Sequence, residues 1–346
     1  MDTALDHGSP ISQEHGALRG VPGLSWGRSG DCTFIGSLVA ATSVTPFPCQ
    51  YEATMGATGL AFRVRWYQGD SVQRWCPSSP VGEFPEELEA ARKATGWALR
   101  VESEADGMAR LAGDILSSIT AGRPVLAYDE SLNVAVVFGA EDEGRTVLMH
   151  DYFHGDEPVR RRTADLKMMV IFLGEHSEPI SERDGALQGL GMALRFHQMR
   201  HDPPGNEEKG YWHGATALEK WAGDLGLFDT LTDWERDSLF MVNWWNFEGM
   251  ADARLHAAPF IRKAIPLFPD AARDHLEQAA TVYENEARKL RAVLYGGECF
   301  TGPWTSRTIK DWTRATRQAE QELLGCAAEV ETDAMKHIEA ALAVLQ

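Results

Sequence analysis

The texture of the chain changes after Gly174, and that change constrains the fold more than any other feature. Before it, apolar runs of strand length follow one another at Pro124 to Tyr128, Asn133 to Phe138, Thr146 to Met149 and Met168 to Leu173. Turn residues separate them, and Glu141 to Gly144 between the second and third is a hairpin signal. From Glu182 the apolar spacing is helical almost to the end. Helices followed by a run of strands, without βαβ alternation, predict an α+β domain and then an all-helical one.

A length of 346 residues also favours two domains. The boundary is expected near residue 176, giving domains over 1–176 and 177–346. Residues 1–22 read as a polar arm. Phe34, Ile35, Leu38 and Val39 share one helical face, and Pro46 and Pro48 end that segment. A short helix is expected at Tyr51 to Gly56, a strand at Leu60 to Tyr67 and a helix at Glu86 to Thr95. A strand at Trp97 to Val101 and a helix at Ala105 to Ala121 follow, the latter closed by Gly122. In the second half, Thr232 and Glu235 form a capping box opening a helix towards Ile265, with Pro259 as a kink. Helices over Asp270 to Tyr295 and Thr305 to Leu345 complete an expected bundle.

The formal net charge of -18 repels phosphate backbones and anionic bilayers, so neither nucleic acid nor membrane is an expected partner. No run approaches the ~18 apolar residues of a membrane span. The first twenty residues carry acids and no apolar core, so a cytoplasmic protein is expected. Five cysteines, an odd number without zinc-type spacing, read as reduced thiols. Cys32 stands apart, because GRSGDC places it at the first turn of a helix. There the unsatisfied N–H groups and the helix dipole favour a thiolate. The bland alternative is a small buried apolar residue. Cys76, in the Pro-rich stretch CPSSPVGEFP, is a rival thiol without a helix terminus.

Several fragments carry a family likeness: GDCTFIGSL (30–38), YEATMGATGLAFRVRWY (51–67), WCPSSP (75–80), RPVLAY (123–128) and VAVVFGAEDEGRTVLMHDYF (134–153). Together they resemble the N-terminal domain family of butirosin biosynthesis protein H, related to C39-like, papain-fold cysteine peptidases. GYWHGATALEKWAGDL (210–225), the Arg254 helix and the Glu-rich last helix resemble the helical region that accompanies this module in bacterial proteins. The resemblance implies a papain-like domain over 1–176 and a helical domain over 177–346. It also implies a cysteine-dependent acyl-transfer or amide-bond enzyme of specialised metabolism, without a cofactor. Its substrate would be a small molecule, with an acyl carrier protein as a candidate donor.

Such a site needs an imidazole beside the thiol and a third group to orient it. By resemblance the histidine would open the strand at Asn133, where an amide stands instead, and the third group would be Asp151. The base is therefore left open among His150, His154 and His213, with His150 and Asp151 expected on opposite strand faces. If no imidazole reaches the thiol, the scaffold is a catalytically degenerate binding protein. The glutamine donor that precedes a papain-type cysteine is also absent. Ser25, Trp26 or the backbone amides of LSWGRSG would serve as oxyanion donors.

Asp129 and Glu130 are candidates to bind a cationic amine, against the plainer role of a solvated loop. Arg63, Arg65 and Arg123 are candidates for a carboxylate or a carrier phosphate, against surface ion pairs. A metal-dependent alternative rests on His197, His201, Asp202, His213, Glu219, His256 and His337. The chain has no Glu-x-x-His, however, and HQMRH is not the zinc signature. Trp234, Trp244, Trp245 and Phe247 suggest either an aromatic ligand pocket or an interface, so a homodimer is among the expected outcomes.

Overall fold

In a computed structural model, residues 16–69, 85–202, 208–295 and 308–345 are described. In chain order the helices and strands are α1 (Thr33–Thr42), α2 (Tyr51–Ala57), β1 (Arg65–Gln68), α3 (Pro85–Thr95), β2 (Trp97–Ser103), α4 (Ala112–Thr120), β3 (Val125–Tyr128), β4 (Val134–Glu141), β5 (Thr146–His150), β6 (Val159–Arg162) and β7 (Lys167–His176). Then come α5 (Glu182–Met199), β8 (His201–Asp202), β9 (Gly210–His213), α6 (Gly214–Gly226), α7 (Asp233–Ala264), α8 (Asp270–Tyr295) and α9 (Arg314–Ala343). The protein is α+β. It contains a six-stranded antiparallel sheet and a C-terminal helical region. Among the described residues no helix is long and apolar enough to cross a membrane.

The chain divides into two compact units, one of residues 1–51 and 97–177, the other of 52–96 and 178–346. This differs from a contiguous first domain over 1–176, because 52–96 folds with the helical half. The physical reason is visible at Trp66. Its ring stacks on Trp221 at 5.0 Å and its Nε1 donates to Asp224 Oδ2 at 2.8 Å.

The first unit is built on the sheet β2-β7-β3-β4-β5-β6. Every residue of β3 is buried, as is β4 from Val134 to Ala140, which explains their unbroken apolar runs. Such strands need cover on both faces. Helices α1 and α4 pack against β3 and β4. Ser37 on α1 donates to the Val134 carbonyl at 2.8 Å. The described end of the expected polar arm is not free: Leu18 is buried and its N–H donates to the Phe138 carbonyl at 2.8 Å. The helix expected over Ala105 to Ala121 is shorter, because Gly107 at φ 79° separates two 3-10 turns that precede α4. β6 has the sequence VRRR with alternating exposure at a sheet edge, so no apolar run announces it.

The second unit is not all-helical. β1, β9 and β8 form a three-stranded antiparallel sheet. The strand expected over Leu60 to Tyr67 is confined to Arg65–Gln68 because residues 60–62 form turns. The capping box at Thr232 forms with both of its hydrogen bonds, and Pro259 lies inside α7. Trp244 and Phe247 are core residues of this unit, whereas Trp234 is exposed.

Candidate functional site

Cys32 is the N-cap of α1, at φ -79° and ψ 95°. The turn before it is built by glycines in left-handed conformation and by short hydrogen bonds. Gly27 N–H donates to Asp31 Oδ1 at 2.8 Å, and Ser29 N–H donates to the Ser25 carbonyl at 2.9 Å. Gly30 has φ 78°, and a Cβ there would overlap the Tyr51 ring. Only glycine lets that ring come so close, and Tyr51 uses the approach: its hydroxyl accepts the Cys32 N–H at 2.9 Å. The half-buried thiol thus stands at the positive end of a ten-residue helix.

Thr33, the next residue, accepts the Val134 N–H on its Oγ1 at 3.2 Å. The start of α1 is thereby tied to the start of β4, directly after Asn133. Asn133 is 2% exposed. Its N–H donates to Asp129 Oδ1 at 3.0 Å and its carbonyl accepts from Asp129 N–H at 3.0 Å. Asp129 Oδ1 also accepts from Ser131 N–H at 2.8 Å, which makes the Asp129 side chain the brace of the β3–β4 turn. Burial pushes the Asp129 pKa up, the Asn133 and Ser131 N–H groups oppose this, and the nearby Asp151 charge adds to it. The turn itself is exposed at Glu130, Ser131 and Leu132, as a solvated loop would be, but the Asp129 side chain is buried beneath it.

Asp151 follows β5 and is buried. Its Oδ1 accepts the N–H groups of Phe153 at 2.9 Å and His154 at 2.8 Å. The imidazole facing this carboxylate is His154, with Nδ1 at 2.8 and 2.9 Å from the two oxygens. A carboxylate there holds the proton on Nδ1 and leaves Nε2 as the basic nitrogen. Of the three histidines left open by the sequence, His154 makes this pair and His150 does not. His150 lies on the other strand face, stacked on Phe138 with centroids 4.5 Å apart. Burial lowers its pKa, and its Nδ1 has no hydrogen-bond partner among the described residues.

The turn 151–154 lies against the first turn of α1. The Tyr152 hydroxyl donates to the Ser29 carbonyl at 3.5 Å, and a Cβ at Gly36 would overlap that hydroxyl. Trp26 packs on Tyr152 at 4.6 Å and on Phe153 at 6.2 Å, forming an aromatic shelf beside the turn. Tyr51 and Tyr152 were not legible as site residues, since each is positioned by a glycine distant in sequence. The Asp-x-x-His spacing of 151 to 154 was the available signal for the dyad.

Other candidates belong to the second unit. Arg63 makes a two-pronged ion pair with Glu87 at 2.7 and 2.8 Å, and Arg65 stands 3.8 Å from the same carboxylate. His213 is the N-cap of α6, stacked on Phe196 at 5.3 Å. Burial, with Arg65, Arg63 and His201 nearby, pushes its pKa down to about 3. Cys76 lies outside the described residues. Among the described residues, no group of three or more His, Cys, Asp or Glu side chains is placed to hold a metal ion. Comparison with known proteins finds no family model and no curated relative that matches the chain.

Proposed function

We propose that the chain is a cysteine-dependent acyl-transfer or amide-hydrolysing enzyme on a papain-like scaffold. Cys32 is the nucleophile, His154 the base and Asp151 the group that orients it. The observation that carries this reading is the Asp151–His154 pair, on a turn that Tyr152 seats against the helix beginning at Cys32.

The Cys32 thiol gives its proton to His154 Nε2, and its sulfur attacks the carbonyl carbon of a thioester or amide, giving a tetrahedral oxyanion. N–H groups at the start of α1 offer it hydrogen bonds. The carbonyl re-forms as the bond to the leaving group breaks, and the imidazolium of His154 gives that group its proton from Nε2. An amine or water then attacks the acyl-cysteine and loses its proton to the same nitrogen, and the C–S bond breaks as Cys32 leaves and takes that proton back. The acyl group comes from a small thioester or a carrier protein, and the shelf of Trp26, Tyr152 and Phe153 flanks it.

A second reading is a degenerate binding protein on the same scaffold. It is favoured by Asn133, a buried amide at the start of β4 where a papain-like site would carry its base.

Intact-mass spectrometry with short acyl thioesters separates the two. The wild type is expected to gain one acyl mass and Cys32→Ala none. His154→Ala is expected to lose about 10²–10⁴-fold in turnover while keeping a reactive thiol at high pH. An unmodified wild type, with Cys32 alkylated no faster by iodoacetamide than the other cysteines, establishes the binding-protein reading.

A further inference from the structure

One cleft lies away from Cys32, Asp151 and His154, none of which lines it. It has a volume of about 420 Å³, a size that suits a small molecule. Its aromatic wall is built from Phe47, Trp97 and His176. Phe47 and His176 stack face to face, 3.9 Å apart and 1° from parallel. Trp97 meets both edge-on, at 6.3 and 5.1 Å. This wall is held in place. Trp97 is 4% exposed, pairs with His176 across β2 and β7, and donates its Nε1 to the Phe47 carbonyl at 3.1 Å. Phe47 N–H donates to Thr45 Oγ1 at 3.2 Å. Of Phe47, 49% stays bare, which leaves part of this fixed ring open to a ligand.

The cleft also has two charges of opposite sign. Arg123 and Glu175 both line it, and among the described residues neither is ion-paired, with the other or with a third group. Arg123 is anchored by its backbone, whose carbonyl accepts from Ser118 Oγ at 2.9 Å. Its Nε is buried and has no hydrogen-bond partner among the described residues. A simple anion would gain from Arg123 and lose to Glu175. The C-terminus of α4, which reaches the cleft at Ala121 and Gly122, would repel it further. A ligand with both charges satisfies all three. At Gly122, with φ 77°, a Cβ would meet no atom within 4 Å, so the cleft is open there.

We propose that this cleft is a second small-molecule site, taking a zwitterion with a planar apolar body, of the aromatic α-amino acid class. The carboxylate meets Arg123, the ammonium meets Glu175 and the end of α4, and the ring packs on the bare part of Phe47. No bond is made or broken; the site binds.

The test is calorimetric titration of the full chain with L-phenylalanine, N-acetyl-L-phenylalanine and phenethylamine. Saturable binding of L-phenylalanine is expected, with the two singly charged analogues at least about tenfold weaker, a difference of about 1.4 kcal/mol. Arg123→Gln and Phe47→Ala should each weaken L-phenylalanine by about tenfold or more. Glu175→Gln should erase the preference over the N-acetyl analogue by weakening L-phenylalanine while strengthening that analogue, opposite changes that misfolding cannot mimic. Cys32→Ala should bind like the wild type. The proposal is overturned by absence of saturation at millimolar ligand, by binding indifferent to these cleft variants, or by binding lost in Cys32→Ala.

Discussion

Arg254 is 0% exposed, so its charge is answered entirely from inside the second unit. Its Nε donates to Glu286 at 3.0 Å, one Nη to Glu331 at 2.8 Å and the other to the Ala61 carbonyl at 3.0 Å. Burial opposes the guanidinium charge, but Glu331 and Glu286 outweigh it and raise the pKa. Burial likewise pushes Glu286 up to about 7, against the pull of Arg254. Removing one member of such a cluster strands the others. Arg254→Ala is therefore expected to destabilise by about 3–5 kcal/mol in urea unfolding. Glu320 offers a second residue-scale prediction. Burial pushes it up to about 8 from an ordinary 4.5, despite donors on Trp312 and Asn243. The folded state then holds this proton more tightly than the unfolded chain. Its contribution is full below about 4.5 and is lost as pH rises through about 8. Denaturant midpoints measured across that range should fall with pH in the wild type. They should fall less in Glu320→Gln, which has no proton to lose.

At the scale of elements, the close approach at Gly36 joins α1 to the turn carrying Asp151 and His154. Gly36→Ala pushes the Tyr152 hydroxyl away from the helix. It is expected to destabilise by about 1–3 kcal/mol, as overpacking does, and to slow acylation of Cys32 in the mass-spectrometric assay. The elements that could be read from the chain were those with strong local signals. α8 runs over Asp270–Tyr295 as its periodicity indicates, and α7 begins at its capping box. β8 and β9, two and four residues long, were not read. Too short for a periodic pattern, they exist because β9 pairs with β1, setting Arg65 opposite His213. The length of β1 was overread for the complementary reason. Apolar residues at 60–62 are buried by packing while their backbone turns, so burial mimicked a strand.

At the scale of the molecule, the described residues of 52–96 belong with the helical unit. They supply Trp66 to the Trp221 stack, the Ala61 carbonyl to Arg254 and Glu87 to the two arginines of β1 and its approach. A fragment of residues 178–346 alone lacks all of these. It is expected to melt without the cooperative transition of the full chain, as followed by circular dichroism. A sharp two-state melt of that fragment would show that 52–96 is dispensable.

Caps, turn glycines and hydrophobic period act over a few residues, and so they are legible in the chain. They were enough for an α+β protein with a helical C-terminal region, a thiol at the start of α1 and the run of strands from β3 to β5. The seating of the 151–154 turn against α1, the burial of the Asp129 side chain and the membership of 52–96 lie beyond that reach. Tyr152 reaches the Ser29 carbonyl across 123 positions of chain, and Trp66 joins Trp221 across 155. Such choices rest on which surfaces pack once the elements exist, and no local pattern encodes them.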